Sequence, residues 1–306
     1  MKIHHALAPR SGPPIVLAVG FFDGYHLGHR EIIRALLRLR KPGYRAAVLT
    51  FRDHPARYLR PGDEPPLIMT TEERINALAD AGVEELYLLT FDASFASLAP
   101  QVFIAEVLHA TLGARGVVVG ENFRYGKGRA GGVADAAAQL ASLGVTFVAV
   151  PNVAYEGVRI SSTRIREALV RGDVALADAM LALPYSIEGR VELGAGRGHD
   201  LGFPTANLAV PTEKLLPKDG VYAVTARYDG RDYRGLVSIG TNPTFDGRAR
   251  TVEVWMLDFK RSIYGASLAI RDFRFVREQR RFASLEALRE QMLADAATVG
   301  FPTLSA

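Results

Sequence analysis

The chain has 306 residues, 48% of them hydrophobic and 23% charged, with a net charge of +4 and no cysteine. That length suits two ordinary domains with full cores, while the lack of cysteine excludes disulfides and thiolate metal centres and fits a cytoplasmic enzyme. The charge is too modest and scattered for a nucleic-acid-binding protein, no apolar run spans a bilayer, and Met1–His5 lacks the apolar stretch of a signal peptide.

From residue 15 to about 181, short apolar runs alternate with helical patterns. Ile15–Val19 is predicted as a strand, Gly20–His29 as a glycine-rich turn, and 28–39 as a helix. The helix start has unpaired N–H groups and a positive dipole end, so phosphate is its natural guest. Gly20, Gly24 and Gly28 let the backbone approach that guest, with Phe21 and Asp23 between them. His26 and His29, three residues apart, can face one phosphoryl group. A zinc site needs a third or fourth ligand, and a plain structural turn needs no such pair, so nucleotide phosphate is the preferred reading.

Further strands are predicted at Arg45–Phe51, Glu85–Thr90, Gly116–Gly120 and Val145–Val150, with helices over 72–81, 100–112 and 132–143. Fully apolar strands alternating with helices imply a doubly wound parallel sheet covered on both faces, with ligands at the strands' carboxyl ends. Two more segments fall at such ends: Phe51-Arg52-Asp53-His54-Pro55, and Gly120–Arg129 with Asn122 and Arg124. The second reads as a substrate loop or as a basic surface turn. Ile160–Arg166 then precedes a helical pattern at Glu167–Val170. Ser161, Ser162, Thr163 and Arg166 form either a second phosphate cradle or an ordinary helix cap.

Beyond Pro184 the texture changes to β-rich runs at Tyr185–Leu193, Val221–Tyr228, Tyr233–Ile239, Thr251–Phe259 and Leu268–Val276. A small antiparallel barrel is predicted, closed by a helix from Ser284 to about Ala297 with Ser284 as N-cap. The domains are accordingly 1–183 and 184–306. Gly194, Gly196 and Gly198 stand in a glycine-rich stretch that is either a phosphate-covering loop or a plain turn. Thr205 and Asn207, two apart on extended backbone, point to one side and can hold a hard cation, although the tetrapeptide alone reads as an Asx turn. Glu253 shares a strand face with Thr251, Trp255 and Leu257; it is either solvated or ion-paired, or a base facing a pocket.

Taken together, these segments resemble the prokaryotic bifunctional riboflavin kinase/FAD synthetase (FMN adenylyltransferase) family from about residue 15 to 300. Further matching pieces are Gly220–Tyr222, Ser238–Phe245, Ile263–Gly265, Arg277, Glu278 and Phe282. The resemblance implies two ATP-dependent steps, riboflavin to FMN and FMN to FAD, both with Mg²⁺. It implies His26, His29 and Arg166 as the catalytic groups of adenylyl transfer, with Asp23, Ser161, Ser162 and Thr163 at the phosphates. His54, Asn122 and Arg124 would face flavin. In the kinase half it makes Glu253 the general base, Thr205 and Asn207 the metal ligands, and Gly194–Gly202 the flap. Asp53 stands where the family often has Pro, and Trp255 where it often has His. Three other readings are weaker: a kinase with a degraded first half, a non-catalytic flavin-binding regulator, and adenylyl transfer to another phosphate ester.

Overall fold

The computed structural model of the protein describes residues 1–193, 205–241, 250–259 and 261–298. Contacts divide the chain into two compact units, Met1–Ser162 and Thr163–Ala306. The change of texture at residue 184 thus falls later than the contact boundary. The intervening Val174–Met180 helix goes with the second unit.

In the first unit, β1 (Lys2–His4), β2 (Ile15–Val19), β3 (Arg45–Phe51), β4 (Glu85–Leu89), β5 (Ala114–Gly120) and β6 (Thr146–Val150) form one sheet in the order β1-β4-β3-β2-β5-β6. All neighbouring pairs are parallel. Every residue of β2 and of β4 is buried, which is why these strands read as unbroken apolar runs. Helices lie at Leu27–Leu39, Thr71–Asp80 and Val133–Ser142, and Pro100–Val102 continues into a π-helix at Phe103–Thr111. The connections from β2 lead first to β3 and β4 on one side and later to β5 and β6 on the other. The order therefore reverses between β2 and β5, the place where an open α/β sheet leaves a crevice for a ligand.

Strand β1 and the small hairpin β7 (Ala154–Tyr155) with β8 (Val158–Arg159) had no counterpart in the apolar pattern. β1 is a three-residue polar edge strand. The N-terminal segment is tied down by charge: both Arg10 Nη atoms donate to the Glu85 carboxylate, at 2.6 and 2.8 Å.

The second unit is a closed antiparallel barrel of β9 (Ser186–Glu192), β10 (Thr205–Ala209), β11 (Gly220–Tyr228), β12 (Arg231–Thr241), β13 (Arg250–Met256) and β14 (Ser267–Arg277), ordered β10-β13-β12-β11-β14-β9. One face of its strands buries Tyr222, Val237 and Val254, which are directly paired from strand to strand. The opposite face carries Val221, Ala223, Leu236, Trp255 and Leu257, packed with Met292, Leu293 and Ala296 of the terminal Leu285–Thr298 helix. Ser284 caps that helix as expected, its Oγ accepting from Ala287 N at 3.1 Å. Arg277 grips the buried Asp295 carboxylate from β14, with Nη2 2.8 Å from Oδ2. Trp255 fills this face as a packed ring.

Candidate active sites

The Gly20–His29 turn leaves the carboxyl end of β2 at the order reversal, beside the end of β5. Gly24 has a φ of +79°, which its lack of a side chain permits. Phe22 and Tyr25 also have positive φ, +60° and +36°. Two buried aromatic residues held in the left-handed region within one turn are unusual, and such strain collects at functional sites. What holds the turn is visible: Asp23 is buried, and its carboxylate accepts from Ile68 N at 3.2 Å and Met69 N at 3.0 Å. Its carbonyl accepts from the Ser162 hydroxyl at 3.0 Å. Asp23 thus clamps three stretches of chain together.

His26 is the N-cap of the Leu27–Leu39 helix, and its Nδ1 accepts from His29 N at 3.2 Å. That bond fixes the neutral tautomer, leaving Nε2–H as the donor. The two imidazoles stack at 3.6 Å between centroids and 13° between planes. Gly28 makes room for this, since a Cβ there would meet the His26 ring at 3.0 Å. Burial pushes His26 down to about 4. Burial first, then His26 and Arg74, push His29 well below the usual histidine range. The pair therefore offers neutral N–H donors rather than positive charge.

This protonation has a measurable consequence. The unfolded chain takes up a proton on His26 near pH 6.5 and the folded chain only near 4, so between these values protons favour unfolding. The contribution is fully present above pH 6.5 and is lost towards pH 4, at about 3 kcal/mol for a shift of this size. Melting followed by circular dichroism should show the first unit weakening over that window. His26→Asn, which keeps a capping acceptor, should flatten the curve. Parallel curves for the two proteins would contradict this account.

His54, after β3, lies edge-on to Phe21 at 4.7 Å, and its Nδ1 accepts from Ala56 N at 3.1 Å. Asn122, after β5, donates to Asn152 Oδ1 at 2.6 Å on an exposed loop that also carries Arg124. Ser161 lies just before, and Ser162, Thr163 and Arg166 within, the first turns of a helix that begins at Ser162, earlier than the predicted 167. The structure brings Ser162 to Asp23; Thr163 and Arg166 belong to the second unit.

Two features of this unit escaped the sequence reading. A chain of rings runs Phe91–Phe51–Phe95–Phe103–Tyr125–Phe123, with successive centroids 5.1, 5.0, 5.8, 5.7 and 5.3 Å apart. It collects residues from the end of β3 and from beyond β4 and β5, so no local pattern announces it. The other is Arg74, only 1% exposed. Arg74, Ala77 and Leu78 form a buried stripe at helical spacing, and that periodicity was the available signal.

In the barrel, register assembles the second site. Asn207 pairs directly with Glu253, and Thr205 with Trp255. Paired residues share a face, so Thr205, Asn207 and Glu253 lie together on the face that carries Trp255. Ser238, opposite Glu253 on its other side, joins the row and accepts from Gln279 Nε2 at 3.0 Å. Hydroxyl, amide and carboxylate oxygens are hard donors of the kind that suit Mg²⁺. Among the described residues no group of three or more His, Cys, Asp or Glu is placed to hold a metal ion. Gly194, Gly196 and Gly198, with the rest of the 194–204 stretch and 242–245, lie outside the described residues.

A strained, histidine-bearing turn at the reversal of a parallel sheet, and a hydroxyl–amide–carboxylate row on a small barrel, define a two-part nucleotide-dependent transferase. The comparisons agree. Residues 9–164 match the FAD synthetase family model and residues 181–300 the riboflavin kinase model. The bifunctional riboflavin kinase/FMN adenylyltransferase of Bacillus subtilis is 37% identical over 297 residues, covering 95% of this chain and 93% of that one. Its Escherichia coli counterpart is 34% identical over 293 residues, with 95% and 93% covered. The chain belongs to the bifunctional riboflavin kinase/FMN adenylyltransferase family. A crystal structure described as a macrolide-efflux protein from Streptococcus pneumoniae has the same fold, with a TM-score of 0.87 and 33% identity, covering 97% of this chain and 98% of that one. Among the described residues no helix here is long and apolar enough to cross a membrane.

Proposed function

We propose that residues 184–306 transfer the γ-phosphate of ATP to the 5′-hydroxyl of riboflavin, giving FMN and ADP, and that residues 1–183 transfer AMP from a second ATP to FMN, giving FAD and pyrophosphate. The observation that carries the assignment is the pairing of Asn207 with Glu253 beside Thr205, which sets a base one strand away from oxygen donors for a metal-bound nucleotide. In the kinase step Glu253 accepts the proton of the 5′-hydroxyl as its oxygen attacks the γ-phosphorus and the bond to ADP breaks. Thr205 and Asn207 would hold the Mg²⁺–ATP complex. Mg²⁺ when bound neutralises phosphate charge in both reactions.

Adenylyl transfer requires no protein nucleophile. An FMN phosphate oxygen attacks the α-phosphorus in line while the bond to pyrophosphate breaks, and the chain supplies position and hydrogen bonds. His26 Nε2–H and His29 donate to phosphate oxygens. The amides at Gly20–Gly28 and the Ser161 and Ser162 hydroxyls are further phosphate-binding groups, and the resemblance adds Thr163 and the Arg166 guanidinium, a positive charge that the neutral histidines do not supply. His54, Asn122 and Arg124 border the flavin, and the ring chain from Phe51 to Tyr125 supports an isoalloxazine platform there, because flat rings stack on aromatic faces.

Incubation with riboflavin, ATP and Mg²⁺, with flavins separated over time, tests the reading: FMN should rise first and FAD follow. Excess EDTA should stop both steps, and added Mg²⁺ should restore them. Turnover persisting in chelator would remove Mg²⁺ from the scheme.

A further inference from the structure

Arg74 is the largest fully buried side chain of the described residues, 1% exposed, on the first turn of the Thr71–Asp80 helix. The helix start is pinned by reciprocal bonds between Thr70 and Glu73, at 2.7 and 3.2 Å. Its guanidinium donates to Phe21 O at 3.0 Å, Phe51 O at 2.7 Å and Arg52 O at 2.9 Å, and lies 4.2 Å over the Phe21 ring. All three acceptors are carbonyls at the carboxyl ends of β2 and β3, the edge from which the histidine turn departs. No carboxylate among the described residues forms an ion pair with it. Asp23 and Asp53 act on it only through space, and Asp23 is bonded to Ile68 and Met69.

A buried charge without a paired counter-charge is costly, and a neutral donor could bind the same carbonyls at less cost. The cost is explained if the charge itself is used. Polyphosphate and phosphate ester meet beside this turn in the proposed adenylyl transfer, and a fixed interior cation acts on them through a medium that screens poorly. The guanidinium is bonded to the Phe21 carbonyl and lies over its ring, so it stands directly against the turn.

We propose that Arg74 is a positioning residue of the adenylyl-transfer site, holding the Phe21 turn to the end of β3 and placing fixed positive potential beneath the bound phosphates. The inference rests on the reading of the first unit as the adenylyltransferase. Besides these carbonyls and the Phe21 ring, the guanidinium lies 3.5 Å from Thr71 Oγ1 of its own helix.

The test compares R74K, which keeps the charge and loses the fork, with R74Q, which keeps donors and loses the charge, both in the full chain. FMN-to-FAD turnover is measured with saturating and limiting ATP, below the melting transition of each variant. Riboflavin phosphorylation in the same samples is the internal control. R74Q should lose at least about tenfold in kcat/KM for ATP in FAD formation, the size expected for an interior unit charge several ångströms from phosphate. R74K should recover most of that loss although its melting is lowered as much. Equal impairment of the two variants, R74Q within about twofold of the parent, or loss of the fold in both would each overturn the proposal. Failure of the parent chain itself to make FAD from FMN would instead overturn the function on which the proposal rests.

Discussion

Glu253→Gln should lower FMN formation from riboflavin about 10³-fold, within the range for removing a general base, while FMN supplied directly is still converted to FAD. Glutamine keeps the shape of the side chain and its place opposite Asn207, so the ladder of β10, β13 and β12 is preserved and the loss reports proton acceptance. The effect should fall on kcat more than on the KM for ATP if, as proposed, the carboxylate contacts the alcohol and not the nucleotide. Retained kinase turnover would return Glu253 to a solvated or ion-paired role. Loss of both steps in a folded protein would undo the division of labour.

His29→Ala should have the opposite outcome, with FMN accumulating and FAD formation reduced about 10²-fold, the usual scale for one preorganised donor at a phosphoryl or acyl centre. Removing His29 also takes away the ring stacked on His26, so part of the loss will come through the N-cap's orientation. His29→Asn separates the two effects, since it restores a donor without the stack. Kinase turnover should be unchanged in both variants. FAD formation at the parent rate in His29→Ala would exclude this histidine from the reaction.

Both experiments rest on features with different histories in the sequence. The five longer strands of the parallel sheet were legible as apolar runs, unbroken in β2 and β4 because these are buried throughout, while the partly buried edge strand β6 is apolar in composition; Ile15–Val19 and Arg45–Phe51 fall where the runs place them. β1 was not, since an edge strand of Lys2, Ile3 and His4 has no run to read. Alternation gave the shared face of Thr205 and Asn207 and, separately, the face of Glu253. Only the register between β10 and β13 shows that these are one face. The histidine turn was recognised by its glycines, but its protonation was not, because that depends on how deeply the imidazoles are packed. Arg74 was hidden by its residue type: an arginine in a helix pattern reads as solvent-facing until its place in the buried stripe is noticed.

Trp255 is the chain's only tryptophan, and it stands packed on the barrel face two residues from Glu253 and opposite Thr205. Indole fluorescence from this protein therefore originates in the kinase half alone. Riboflavin bound beside Glu253 should quench that emission by energy transfer to the flavin. Denaturation followed by the same signal reports the barrel's unfolding without any contribution from the parallel-sheet half.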